Sequence, residues 1–270
     1  MHTWHNSIRK SSSVVKIVII AIIFGVFCIS SLTAAPFFMK PTGAVIIDAG
    51  HGGTDPGAVA ELLVDDIQSV VYYEKDINLA IANKVAALLE EQYPEILIVK
   101  TRIDDSSVSL WERAQYANAL ETAAGTSKIF ISIHANSAPG INAFGYEVWK
   151  QYSYIDHDFY SSEINESSIL KSVDITNSSL NRELDRADSL LAESIQTALS
   201  DGIGETTRNR GIKESAFYVL KYTYMVSALI ETGFMSYEDE LIHLIDPEYQ
   251  NITAASIAEG ISLYIEKTTN

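Results

Sequence analysis

Cysteine is almost missing from this chain: the 270 residues hold one, Cys28, and it lies in the N-terminal stretch. A domain without cysteine of its own has no disulfide, no thiol nucleophile and no thiolate metal ligand. Positive charge is also scarce, with 19 Lys and Arg against 35 Asp and Glu and a formal net charge of −16. A surface that acidic does not neutralise phosphates, so nucleic acid is excluded as a partner and polyanions are disfavoured. Acidic residues are in turn absent before Pro36, where Arg9, Lys10 and Lys16 precede an apolar run from Ile17 to Leu32. That order reads as an export signal. The run is shorter than the roughly 20 residues of a full membrane span. Thr33-Ala34-Ala35 offers small residues for cleavage, yet Pro36 spoils that site. Residues 1–40 are therefore read as a signal peptide or membrane anchor with its linker, which puts the rest outside the cytoplasm. Cleavage after Ala35 would remove Arg9, Lys10 and Lys16 and take the formal charge from −16 to −19. Cys28 follows bulky Phe27 and makes a poor lipidation site.

What is there is an ordinary globular composition, 47% apolar and 20% charged, enough for one catalytic domain over residues 41–270. Short apolar runs predict strands near 44–49, 96–101, 128–134, 145–149, 216–220 and 226–231. Ile77, Ile81, Val85, Leu88 and Leu89 recur at helical spacing and predict a helix from Asp76 to about Gln92. Ser109 with Glu112 three residues on is a capping-box pattern opening a second helix that presents Leu110, Ala114, Ala117 and Leu120. Leu180, Leu184, Ala187, Leu191, Ile195 and Leu199 mark a third, and residues 248–266 a last. Strand and helix alternate, which predicts α/β architecture: a mainly parallel twisted sheet flanked by helices. No internal repeat is visible. Residues 151–179 break the pattern with Ser, Asn, acids and the aromatics Tyr152, Tyr154, Phe159 and Tyr160, and read as an insertion. An insertion of that length is functional or disordered. Following the strand at Gly145–Trp149, it is expected to root near the strand ends described next and to cover them as a lid or shape a groove.

Six histidines exist, and His2 and His5 belong to the export segment. Of the rest, His51 ends the run Val45-Ile46-Ile47-Asp48-Ala49-Gly50-His51-Gly52-Gly53, and His134 ends Ile129-Phe130-Ile131-Ser132-Ile133-His134-Ala135-Asn136. Val226 to Ile230 delivers Glu231 in the same way. In parallel sheets such ends converge on the active site. A hydrolytic zinc site commonly takes two His and one carboxylate and keeps a fourth position for water. Glu74, at the mouth of the helix after the His51 turn, is the candidate third ligand. The glycines near His51 lack the Lys-Ser/Thr ending of a phosphate loop and the spacing of a dinucleotide fingerprint. His157 and His243 are expected at the surface, and Arg102, Arg113 and Arg210 in structural ion pairs or hydrogen bonds.

Taken in order, Ile47-Asp48-Ala49-Gly50-His51-Gly52-Gly53 with Asp55-Pro56-Gly57, Glu74-Lys75-Asp76-Ile77-Asn78-Leu79, Thr101-Arg102, Ser132 to Asn136, Asn209-Arg210-Gly211-Ile212-Lys213 and Glu231-Thr232-Gly233-Phe234 resemble the zinc-dependent N-acetylmuramoyl-L-alanine amidases of the Amidase_3 family. Ala49 stands where that family usually has Pro, and Tyr237 where Asn is common; neither change removes a reacting group. The resemblance implies one zinc ion on His51, Glu74 and His134, with Glu231 as the catalytic carboxylate acting on the amide between muramic acid and L-alanine in peptidoglycan. Asp48, Asn136 and Arg210 are expected to orient ligands or substrate. A zinc peptidase acting on the stem peptide and a silent wall-binding or regulatory module are the alternatives. No wall-binding repeat is visible, and an acidic domain gains nothing from anionic wall polymers. Placement is therefore expected to depend on the anchor or on an activating protein partner.

Overall fold

In the computed structural model, residues 37–63, 68–140, 143–159 and 176–269 are described. The export segment with Cys28, and Tyr160 of the insertion, lie outside them. Eight strands form: β1 Thr42–Ala49, β2 Val59–Leu63, β3 Ser69–Tyr73, β4 Leu97–Lys100, β5 Ser127–Asn136, β6 Tyr146–Gln151, β7 Asn209–Ser215 and β8 Val226–Phe234. The helices are α1 Glu74–Gln92, α2 Leu110–Ala119, α3 Asn177–Ile203, α4 Tyr218–Tyr222, α5 Glu238–Ile245 and α6 Pro247–Thr269. Six strands make one sheet in the order β4-β1-β5-β8-β6-β7, and β2 and β3 pair as a separate antiparallel hairpin.

Within the sheet β4, β1, β5 and β8 are parallel, β6 runs antiparallel to β8, and β7 is parallel to β6. Both faces of the central strands are covered, which is why they read as continuous apolar runs rather than as alternating ones. Val45, Ile47, Ile129, Ile131 and Ile133 point to the larger core under α1, α3 and α6. Ile46, Phe130 and Leu229 point to a smaller one with Ala117 of α2 and Val219 and Leu220 of α4. Full burial of each such side chain contributes about 1.5–3 kcal/mol. Phe38 joins the larger core and meets the ring of Phe159 at 5.4 Å. Ser109 caps α2 through a complete capping box with Glu112, as the spacing predicts.

Several expectations need correction. The run near 216–220 is no strand: β7 ends at Ser215, and Val219 and Leu220 lie on the one-turn helix α4, where helical geometry puts both into the smaller core. A short apolar run does not distinguish a buried strand from a buried helical turn. The strand that does form there, Asn209–Ser215, is polar and sits at the sheet edge, so no apolar run announced it. Leu110 is 53% exposed because the first turn of α2 projects beyond the core. His157 is buried, bonded through its ring to Gln151 and packed against Tyr224. His243 is half-buried, stacked on Tyr249. The hairpin β2–β3 and helix α5 are elements beyond those the sequence predicts.

The insertion is rooted at the wrong end of the sheet for the expected lid. Glu147 pairs with Glu231 and Trp149 with Leu229, so β6 starts beside the carboxyl end of β8 and delivers Gln151 toward the opposite end of the strands. There Phe159 enters the larger core and Asn181 of α3 holds the backbone of His157.

Candidate metal centre and catalytic cleft

The carboxyl ends of β1 and β5 and the first residue of α1 bring three side chains together. Strand pairing carries on past β1, with Gly50 N–H donating to the Ile133 carbonyl at 3.0 Å, so the His51 turn is held against the end of β5. His51 adopts a φ of +61°, a conformation that costs a non-glycine residue free energy and persists only where neighbours hold it. They do: Arg113 donates to the His51 carbonyl at 2.6 Å and to the Ala49 carbonyl at 2.6 Å, and Arg102 to the Ala49 and Gly50 carbonyls at 2.9 Å each. Gly50 must be glycine, because the His134 ring fills the space a side chain would take. A Cβ there would lie 2.2 Å from Cε1 of His134.

His51, Glu74 and His134 each offer a ligand atom, and these atoms lie within 4.8 Å of one another. Nε2 of His51 is 3.2 Å and Nδ1 of His134 2.9 Å from Oε1 of Glu74. The other ring nitrogen of His51 is fixed by Asp55 Oδ2 at 2.8 Å. Glu74 is steered by Asn78 Nδ2 at 3.1 Å, by Ala135 N–H at 3.2 Å and by Ala58 N–H at 2.8 Å. Two imidazoles and one carboxylate, with the ring of His51 and the carboxylate of Glu74 oriented by neighbours outside the set, are a donor set that fits a zinc ion. Burial works against ionisation of Glu74, but the hydrogen bonds and charges of His134 and His51 outweigh it and hold the carboxyl well below the usual range. Burial lowers His51 while Glu74 and Asp55 raise it, and the net shift is upward.

Glu231 stands directly across from His134 in the β5–β8 register. Its Oε2 is buried with no hydrogen-bond partner. Burial, with the charges of Glu74 and Glu147 adding to it, pushes Glu231 up to about 7. A half-buried carboxylate with one oxygen enclosed and unpartnered, and a pKa near neutral, is suited to moving protons.

The sequence-predicted residues thus meet, with Asp48 and Arg210 supporting at a distance. Asp48 is buried under the His51 turn, bonded to Arg113 at 2.6 Å, Thr101 at 2.6 Å and Ser132 at 2.7 Å. Asn136 donates to Glu147 at 3.3 Å, and Arg210 and Lys213 pair with the same carboxylate. Glu147 was missed, although an acid two residues into Gly145-Tyr146-Glu147-Val148-Trp149 carries the same signal that marked Glu231. Also missed was Glu240 of α5, which accepts from Gly145 and Phe234 N–H at 2.7 Å each and from Thr207, tying the start of β6 to the end of β8.

A carboxylate beside a three-ligand cluster at the carboxyl ends of a mainly parallel sheet is the site of a hydrolase. The chain belongs to the Amidase_3 family of N-acetylmuramoyl-L-alanine amidases, whose sequence model matches residues 45–263. It is 34% identical to the uncharacterized protein YqiI of Bacillus subtilis over 83% of this chain and 85% of YqiI. It is 31% identical to the N-acetylmuramoyl-L-alanine amidase LytC of the same organism, over 82% of this chain but 35% of LytC. Among solved structures, the catalytic domain of the amidase CwlV from Bacillus (Paenibacillus) polymyxa superposes with a TM-score of 0.62 at 30% identity, covering 83% of this chain and 99% of that domain.

Proposed function

We propose that this protein hydrolyses the amide between N-acetylmuramic acid and L-alanine in peptidoglycan, with one zinc ion held by His51, Glu74 and His134 and with Glu231 transferring the proton. The observation that carries this reading is the register of β5 against β8, which sets Glu231 opposite His134 and so beside the ligand cluster. A zinc ion held there supplies Lewis acidity toward the scissile carbonyl and lowers the pKa of water from 15.7 toward about 7. Glu231, unpartnered and near neutral pKa, accepts the proton of the attacking water and returns it to the departing amine of L-alanine, which leaves poorly unless protonated. Transfer of this kind contributes about 10² to 10⁴ in rate. Asp55 and Asn78 hold the ring of His51 and the carboxylate of Glu74, so the groups need little rearrangement on binding substrate. Nothing in the set forms a covalent intermediate.

The family match and the assembled cleft favour this reading over the stem-peptide peptidase and over the silent module. The basic-then-apolar N-terminal segment supports a location on the wall side of the membrane, where peptidoglycan is found; among the described residues no helix is long and apolar enough to cross a membrane. Digestion of purified peptidoglycan, with products identified by mass, tests the bond. Peptides beginning at L-alanine plus peptide-free glycan support the proposal, and internal peptide cuts refute it. Chelation should abolish the reaction and zinc restore it. A zinc-loaded protein silent on isolated peptidoglycan and on soluble muropeptides alike refutes the proposal.

A further inference from the structure

Beside the cleft, on the side of Glu231 away from the ligand cluster, the structure carries a positive ledge in an otherwise acidic protein. Glu147, 1% exposed, is its base. Oε1 of Glu147 accepts from both Arg210 and Lys213, while Oε2 accepts from Trp149 Nε1 at 3.0 Å and Asn136 Nδ2 at 3.3 Å. One carboxylate offsets one of the two cations, so the ledge keeps a unit of positive charge. Both cations are also braced by rings: the Arg210 guanidinium lies 4.8 Å from the centre of Phe234, and the Lys213 ammonium 5.1 Å from that of Trp149. Their side chains remain 26% and 32% exposed. An ammonium has three donors and a guanidinium five. Lys213 commits one to Glu147, and Arg210 commits Nε to Glu147 and Nη1 to the Phe144 carbonyl. Donors are left for a ligand, on side chains already held in place, which lowers the entropy cost of binding.

We infer that Arg210 and Lys213 form the subsite for a free carboxylate on the departing peptide, the one borne by the second residue of the stem. This rests on the amidase reading, because that reading fixes the direction of the substrate. Glu231 must reach the leaving nitrogen, so the leaving peptide lies on its side of the cleft. Sheet order places the ligands on β1, β5 and the start of α1, Glu231 on β8, Glu147 on β6 and the cations on β7. Neighbouring strands are about 4.8 Å apart, and both cations reach back from β7 to a carboxylate on β6, which brings them about one strand spacing from the strand of Glu231. A group on the second residue of an extended peptide lies about 7 Å from the leaving nitrogen. The two lengths are of the same order, and a carboxylate is opposite in charge to the two cations.

Disaccharide muropeptides that differ only at the second residue, D-isoglutamate against D-isoglutamine, test this, since amidation removes the charge and changes little else. The zinc-loaded protein should prefer the acid by about tenfold in kcat/KM, mainly through KM. Lys213→Gln and Arg210→Gln should each bring the ratio of acid to amide toward one. Because the ratio compares two substrates on the same folded protein, loss of some folded protein in a variant does not alter it. A ratio near one in the unaltered protein, or a ratio fully kept in both variants, overturns the subsite. Amidating the third residue's carboxylate instead should leave the preference in place; losing it there would assign the ledge to that residue and overturn the assignment made here. Failure to cut either substrate at the muramoyl-alanine bond refutes the amidase reading itself, and is distinguished by the absence of that product.

Discussion

Arg113→Met should be among the most damaging single changes outside the ligand set, although Arg113 touches no substrate. The guanidinium is 2% exposed and Asp48 1%. It donates to Asp48 Oδ1 at 2.6 Å, to the carbonyls of Ala49 and His51 at 2.6 Å each and to that of Val108 at 3.0 Å. Methionine fills much of the volume but donates nothing. Asp48 is then a buried charge steadied only by the hydroxyls of Thr101 and Ser132. Removing one partner of a buried ion pair costs about 3–5 kcal/mol, a large share of the roughly 5–15 kcal/mol that holds a domain folded. At a urea m-value of about 3 kcal/mol/M, the unfolding midpoint should fall by about 1–1.7 M. Asp48→Asn strands the guanidinium instead and should cost a similar amount. The double variant Asp48→Asn/Arg113→Met buries no charge, so its loss should be at least about 2 kcal/mol smaller than the sum of the two singles. Because the same guanidinium holds the His51 turn in its left-handed conformation, zinc affinity should also drop by about 10- to 100-fold. Urea titration of the four proteins decides the matter. A midpoint for Arg113→Met within about 0.3 M of the unaltered protein, or strict additivity in the cycle, would refute the reasoning.

Glu231→Gln keeps the shape and cannot take a proton, so zinc content and thermal unfolding should survive while turnover falls by about 10² or more; near-normal turnover would remove Glu231 from the reaction. Gly50→Ala should lose zinc and activity together, because its Cβ would occupy space 2.2 Å from the His134 ring, and one zinc per chain in that variant would contradict the packing argument. His51→Ala or His134→Ala should likewise fail to hold stoichiometric zinc, measured by metal analysis after gel filtration. Asp188 is buried on the inner face of α3, where burial pushes its carboxyl up to about 8, eased in part by the Ser227 N–H it accepts at 2.8 Å. The folded state therefore holds a proton that the unfolded chain releases near pH 4. Stability should fall as pH rises from about 4 toward 8, and Asp188→Asn, which carries no proton to lose, should flatten that fall in urea titrations across the range. An unchanged pH profile in Asp188→Asn would show that the carboxyl does not titrate there.

How far the sequence carries can be seen residue by residue. His51, Glu74, His134 and Glu231 were legible because each ends an apolar run or opens a helix, and polar groups in those places need a reason. Val45–Ile47 and Ile129–Ile133 were legible as central strands because burial on both faces removes alternation. The capping box at Ser109 and Glu112 needed no tertiary information, since its partners are three residues apart. Local composition also carried the exclusion of thiol chemistry, since residues 41–270 contain no cysteine.

The tertiary structure decided everything that depends on strand direction and on partners distant in sequence. Whether β6 ran with or against β8 could not be read from Tyr146–Gln151, since one strand's pattern of side chains is the same either way. Yet that direction moves the start of residues 151–179 to the opposite end of the strands and sets Glu147 opposite Glu231. The polar edge strand Asn209–Ser215 carried no periodic signal, because none of its residues is fully buried. Arg113 is 65 residues from Asp48, and Arg210 63 from Glu147. Chain order gives residue types and local spacing; which buried charge meets which is set by how the strands order themselves in the sheet, where the cost of leaving any one of them unpaired is highest.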